Sequence, residues 1–171
     1  MSFHFKLLML GDKSVGKTTL SYRYVTGTFK KELKQTIGVD IFTKFIKYQE
    51  KAIKFQIWDF GGERRFRSIV PRFCEGANAA LLLYDITNEI SYHHLSEWIH
   101  VVNDNAGEIP IILIGTKKDL NSYREVSLDK GYAAVEEFNL TDFFEVSSKT
   151  GTNLEKAFRK ILDLLFEEIE Y

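Results

Sequence analysis

With 171 residues, 44% of them hydrophobic, the chain suits one domain that buries about two thirds of its unfolded surface without disulfides or a structural metal. Lysine and arginine total 23 against 24 acidic residues, a formal charge of -1, so no bulk electrostatic pull toward nucleic acid or anionic lipid exists and only a local patch could supply one. Cys74 is the sole cysteine, which excludes an internal disulfide framework and leads us to expect a reducing, cytoplasmic setting.

The opening stretch MSFHFKLLML meets Gly11 and Asp12 too early to span a bilayer, and it lacks the cationic region and small-residue cleavage site of a signal peptide. Its apolar run, Phe3 to Leu10, reads as a buried strand, and Lys17 to Val25 reads as a helix with Leu20, Tyr24 and Val25 available to a core. Residues 39–48 and 53–58 alternate apolar and polar positions around Gln49 to Lys51, as an antiparallel hairpin does, with the first strand at an edge. Ala79 to Tyr84 and Ile109 to Gly115 are unbroken apolar runs, expected of strands covered on both faces. Helical patterns follow at 91–104 and 153–168, with a shorter helix near 129–138 and a last strand near 141–146. Alternating strands and helices predict an α/β fold, a mostly parallel sheet with helices on both faces. No repeat, linker or low-complexity tract marks a second domain, so residues 1–171 are expected to form one.

Gly11, Gly16, Lys17 and Thr18 fit G-x-x-x-x-G-K-[ST], in a loop that follows a predicted strand and precedes a predicted helix. The loop residues Asp12, Lys13, Ser14, Val15 and Gly16 can wrap a phosphate with backbone amides, and the helix N-terminus at Lys17, Thr18 and Thr19 adds partial positive charge. Lys17 can neutralise β- and γ-phosphates, and the Thr18 hydroxyl suits Mg2+. Asp59, at the end of a later apolar strand, supplies a second Mg2+ partner. The competing reading is a glycine loop with a surface lysine. Two further stretches stand at strand ends, Thr116-Lys117-Lys118-Asp119-Leu120 and Ser147-Ser148-Lys149, where parallel sheets bind their ligands. A carboxylate at Asp119 can accept two hydrogen bonds from the N1 and N2 edge of guanine, a donor pair that adenine lacks.

With these motifs the chain resembles the Ras superfamily of small GTPases over essentially its whole length, TKKD standing for the usual asparagine or threonine, lysine, any residue, aspartate, and SSK for the usual SAK. The resemblance implies a P-loop NTPase G domain with a six-stranded sheet and one antiparallel edge strand. It also implies a slowly hydrolysing GTP/GDP switch that uses Mg2+ and meets effectors, exchange factors and GTPase-activating proteins. It further implies that Lys117 lies along the base, that backbone near Ser148 meets the base oxygen, and that Phe29 packs on the base. Thr36 in QTIGVD matches the first-switch threonine, which meets Mg2+ and the γ-phosphate, and Gly62 matches the second-switch glycine. TIGVD at 36–40, WDFGGERRFRSI at 58–69 and LLLYDITNEIS at 81–91 look most like the Rab branch, which implies membrane trafficking, whereas the pair Gly61-Gly62 is similar to Arf proteins. On the Rab comparison Ile41, Trp58 and Phe73 belong to an effector surface; as aromatic and aliphatic residues they fit plain core packing equally well.

Two positions depart from the pattern. Glu63 stands where family members place a water-orienting glutamine, so it joins Lys17, Thr36 and Gly62 as a candidate catalytic residue whose carboxylate adds negative charge and loses an amide donor. Lys13 replaces a small loop residue and could point to solvent, add charge toward the γ-phosphate, or obstruct a partner's arginine. The chain closes with LLFEEIEY and without a prenylation cysteine, and Glu167, Glu168 and Glu170 would repel an anionic bilayer. Membrane association is therefore expected only through a tail beyond this sequence or a partner, and the domain is expected to be monomeric. His93, His94, Glu97 and His100 invite a metal site, but their spacing better suits a solvated helix face. A nucleotide kinase would need a lid and clustered arginines that the middle of the chain does not provide; a GTP-bound scaffold without turnover stays open.

Overall fold

The computed structural model describes residues 2–167 and 169. Its sheet has six strands, β1 (Ser2–Gly11), β2 (Val39–Tyr48), β3 (Lys51–Phe60), β4 (Ala79–Asp85), β5 (Ile111–Thr116) and β6 (Asp142–Glu145), in the order β2-β3-β1-β4-β5-β6. Only the edge strand β2 runs antiparallel to its neighbour. The hairpin turn is the two-residue loop Gln49-Glu50 with both φ positive, the backbone that matches the twist of the flanking strands. The called strands and the edge position of β2 are as expected from the apolar patterning.

Alternation along β1 divides the core. Leu7 and Met9 face one apolar cluster with helices α1 (Lys17–Thr26) and α6 (Leu154–Glu167), while Leu8 and Leu10 face the other, which takes in α2 (Val70–Cys74), α4 (Leu95–Ala106) and α5 (Leu128–Glu137). In α6, Leu154, Ala157, Phe158, Ile161, Leu162 and Leu165 recur at helical spacing and are all buried, each large side chain contributing roughly 1.5–3 kcal/mol. Phe158 stacks flat on Tyr24 of α1 with ring centroids 3.6 Å apart, locking the helix that opens behind the phosphate-type loop. The predicted end of this helix at Glu168 lies outside the described residues, as does Glu170.

One expected helix is corrected, and three short elements add to those expected. The helix expected over 91–104 is two, α3 (Glu89–His93) and α4, separated at His94. Asn88 caps α3 by accepting from the Ile90 amide, and the break leaves His94 free to turn toward the loop after β1. The short helix α2, opened by Pro71 in its first turn, and the 3-10 turns at Arg64–Phe66 and Lys118–Tyr123 lack the length for a periodic signal.

Candidate functional site

Gly16 has φ +101 and starts α1 from a left-handed conformation, which turns the loop after β1 back over the helix N-terminus. Beside it lies a cleft of about 750 Å3. Of the residues singled out in the sequence, Lys13, Ser14, Val15, Gly16, Lys17, Thr18, Thr19, Phe29, Thr36, Gly62, Thr116, Lys117, Asp119, Leu120, Ser148 and Lys149 line it together. Asp12, Asp59, Glu63 and Ser147 stand behind or beside that lining, and Gln35 joins it without having been expected.

Lys17 is almost fully buried and donates from Nζ to the Asp12 carbonyl at 2.6 Å. Burial lowers its pKa to about 8, with Asp59 and Asp12 acting in the opposite direction. Thr18 from α1 and Thr36 from the loop before β2 meet with hydroxyl oxygens 2.8 Å apart, and both donate to Oδ2 of Asp59, Thr36 at 3.1 Å. The Asp59 carboxylate is completely buried, and its Oδ1 has no hydrogen-bond partner. Burial raises its pKa, the hydrogen bonds from Thr18 and Thr36 and the charge of Lys17 opposing. Two hydroxyls and a buried carboxylate with an unsatisfied oxygen form a hard-oxygen donor set, and they fit Mg2+ that keeps part of its water shell.

On the other side of the cleft the fold cross-ties its loops. Thr116 Oγ1 lies 2.5 Å from the Val15 carbonyl and 3.0 Å from that of Tyr84, so this side chain fastens β5 to the phosphate-type loop. Lys117, at positive φ, reaches the Ser14 carbonyl at 3.0 Å and the Asp85 carboxylate at 2.6 Å. Ser147 donates to Asp119 Oδ1 at 2.7 Å and accepts from the Thr150 amide, fixing the carboxylate at the cleft wall.

A model of the Ras family matches residues 6–167. The chain belongs to the Ras family. Membership makes this a small GTPase, a GTP-binding switch in kind, in a family whose members generally bind guanine nucleotide and Mg2+ and meet regulators and effectors. In this Ras-family chain both glycines after Phe60 have steric reasons. A Cβ on Gly62 would stand 2.2 Å from the Lys13 amide nitrogen, and one on Gly61 would stand 2.7 Å from the Phe66 ring and 2.9 Å from the Thr36 carbonyl.

The Asp12 side chain turns away from the cleft. It accepts from the Trp98 indole at 2.9 Å, lies 2.5 Å from His94 Nδ1, and pairs with Arg67 at 3.3 Å. Arg67 also pairs with Glu97 and sits 4.7 Å from the Trp98 ring. The solvated face expected of these four residues holds for His93, Glu97 and His100, which are exposed, and is corrected at His94, which turns to Asp12; Glu97 backs the same brace through Arg67. Among the described residues no three histidine, cysteine or carboxylate side chains group to hold a metal. Sequence reading missed Arg67 and Trp98, because only tertiary contact joins them to Asp12. Of the three apolar surface candidates, Trp58 and Phe73 are partly buried and pack with centroids 5.6 Å apart, whereas Ile41, opposite Trp58 in the ladder, is exposed.

Proposed function

We propose that the cleft binds GTP and GDP with Mg2+ and that this chain hydrolyses GTP slowly as a one-domain, monomeric switch. The observation that carries the reading is the meeting of Thr18 and Thr36, from separate loops, on the buried Asp59 carboxylate beside Lys17. Lys17 would hold the β- and γ-phosphates, Thr18, Thr36 and Asp59 the Mg2+, Asp119 the guanine edge, and Phe29 and Lys117 the faces of the base. Mg2+ supplies charge neutralisation of the phosphates when bound. Thr36 and Gly62 stand on loops whose arrangement would differ between GTP and GDP, and effectors would read that difference. Resemblance to the Rab branch supports a role in membrane trafficking, with Ile41, the Trp58–Phe73 pair and the exposed Ile37 and Phe45 as the effector face. Among the described residues no helix is long and apolar enough to cross a membrane, and we expect cytoplasmic protein that reaches a membrane through a partner or a tail beyond this sequence.

The test is chromatography of the nucleotide released from purified protein, followed by titration with fluorescent GDP and ATP analogues with and without EDTA. Guanine nucleotide, released faster on chelation, is expected; bound ATP would overturn the assignment. A second reading, a GTP-bound scaffold with little turnover, is favoured by Glu63 alone, which lies outside the cleft lining in ion pairs with Lys13 and Arg65.

A further inference from the structure

Glu63 has three partners around its carboxylate. Lys13 Nζ lies 3.2 Å from Oε1, Arg65 Nε lies 2.7 Å from Oε2, and the Gln35 side-chain amide donates to Oε1. The two cations and the amide hold the carboxyl below the usual carboxylate range, the Lys13 contact first and Gln35 next, so Glu63 is ionised at neutral pH. A carboxylate engaged this way has its lone pairs directed to donors already present, and Glu63 does not line the cleft. Gln35 does line it, directly before Thr36, and its amide donates to the same Glu63 oxygen that Lys13 pairs with. Because Gln35 Nε2 donates to Glu63, its Oε1 is the end of the amide left to accept. A neutral amide in this position can accept from water without bringing negative charge toward a γ-phosphate.

From this arrangement we propose that Gln35, rather than Glu63, orients the attacking water, with the Glu63 carboxylate, clamped by Lys13 and Arg65, as the residue that positions the Gln35 amide. The proposal rests on the guanine-nucleotide reading of the cleft. In the reaction the water oxygen bonds to the γ-phosphorus as the bond from phosphorus to the β–γ bridging oxygen breaks. The electron pair leaves on GDP, and the water's proton departs with the phosphate product or to solvent. Gln35 accepts a hydrogen bond from the water and takes no proton. Lys13 cancels the Glu63 charge, which otherwise would oppose approach of the anionic nucleotide.

The experiment compares wild type with Gln35→Ala, Glu63→Ala and the exposed loop control Lys30→Ala. The readouts are single-turnover GTP hydrolysis, fluorescent GDP affinity, thermal melting, and capture of aluminium fluoride by the GDP-loaded protein with Mg2+. Gln35→Ala is expected to slow hydrolysis about 10- to 100-fold and to lose aluminium fluoride capture, with GDP affinity within about twofold of wild type. Glu63→Ala is expected to slow hydrolysis by a smaller factor, on the order of threefold to tenfold, through loss of the amide's support. Lys30→Ala should match wild type throughout. An unchanged rate in Gln35→Ala, a larger loss in Glu63→Ala than in Gln35→Ala, or a Gln35→Ala variant that loses GDP affinity together with rate would each overturn the proposal. Wild type that binds GTP and never hydrolyses it overturns this proposal alone, whereas wild type with no affinity for guanine nucleotide overturns the reading of the cleft beneath it.

Discussion

The two ends of the cleft are built from different materials. At the end proposed to take the base, Thr116, Ser147 and Asp119 are tied by hydrogen bonds that are buried or partly buried, and Lys117 adds an exposed bond to the Ser14 carbonyl, so that three loops are joined. At the opposite end, Lys13, Glu63, Arg65 and Gln35 join three loops through two exposed cations on a half-buried carboxylate and a single amide. Exposed ion pairs contribute little to stability and rearrange at small cost, whereas buried hydrogen bonds are expensive to leave unmade. The contrast suits a protein that must hold one part of a ligand constantly and respond to another part that comes and goes.

Three measurements test this contrast. The largest effect is expected from Asp119→Ala, which on the proposed reading removes the charged acceptor for the guanine edge and should weaken GDP binding by about 100-fold or more, read by the release rate of a fluorescent analogue. If affinity survives that change, the base end is not the constant anchor.

A smaller effect, about tenfold per pH unit, is expected above pH 8 from Lys17. Its folded pKa of about 8 is below the ordinary 10.5. Between those values the unfolded chain holds more protons than the folded one, so the nucleotide-free protein gains stability as pH rises through that window, and the cost of burying the ammonium is fully present below it. Phosphate needs the charged form, so GDP affinity should decline from pH 8 to 9 and binding should take up protons. Calorimetry in buffers of different ionisation enthalpy checks this, and a flat profile would assign the cradle's charge elsewhere.

The smallest effect is expected from Arg67→Ala. It breaks pairs with Asp12 and Glu97 at the partly exposed edge, which should cost about 1 kcal/mol, or a melting shift of roughly 2–4 °C. Nucleotide affinity should change little, since the Asp12 carboxylate faces away from the cleft.

The same division explains what could be read from sequence. Apolar runs such as Ala79 to Tyr84 announce buried strands because burial on both faces is written in consecutive residues. The glycine-lysine loop is legible because phosphate chemistry dictates its spacing. His94 is not, because the break between α3 and α4 coincides with a tertiary bond to a residue 82 positions away. Gln35 escaped notice for a similar reason: nothing in QTIGVD marks it until Glu63 is seen beside it. The paired glycines are visible in the sequence, but their separate close approaches, to Lys13 and to Phe66 and Thr36, arise only in the folded chain.

The brace on Asp12 has an optical consequence. The chain has two tryptophans, and Trp98 is buried with its indole N–H on the Asp12 carboxylate and a guanidinium against its ring. Indole emission depends on such charges, so any displacement of Arg67 or of the loop at Asp12 changes the brightness and colour of a fluorophore already built into the molecule. The protein thus carries an intrinsic, label-free gauge of its own phosphate loop, readable in real time in a stopped-flow cell.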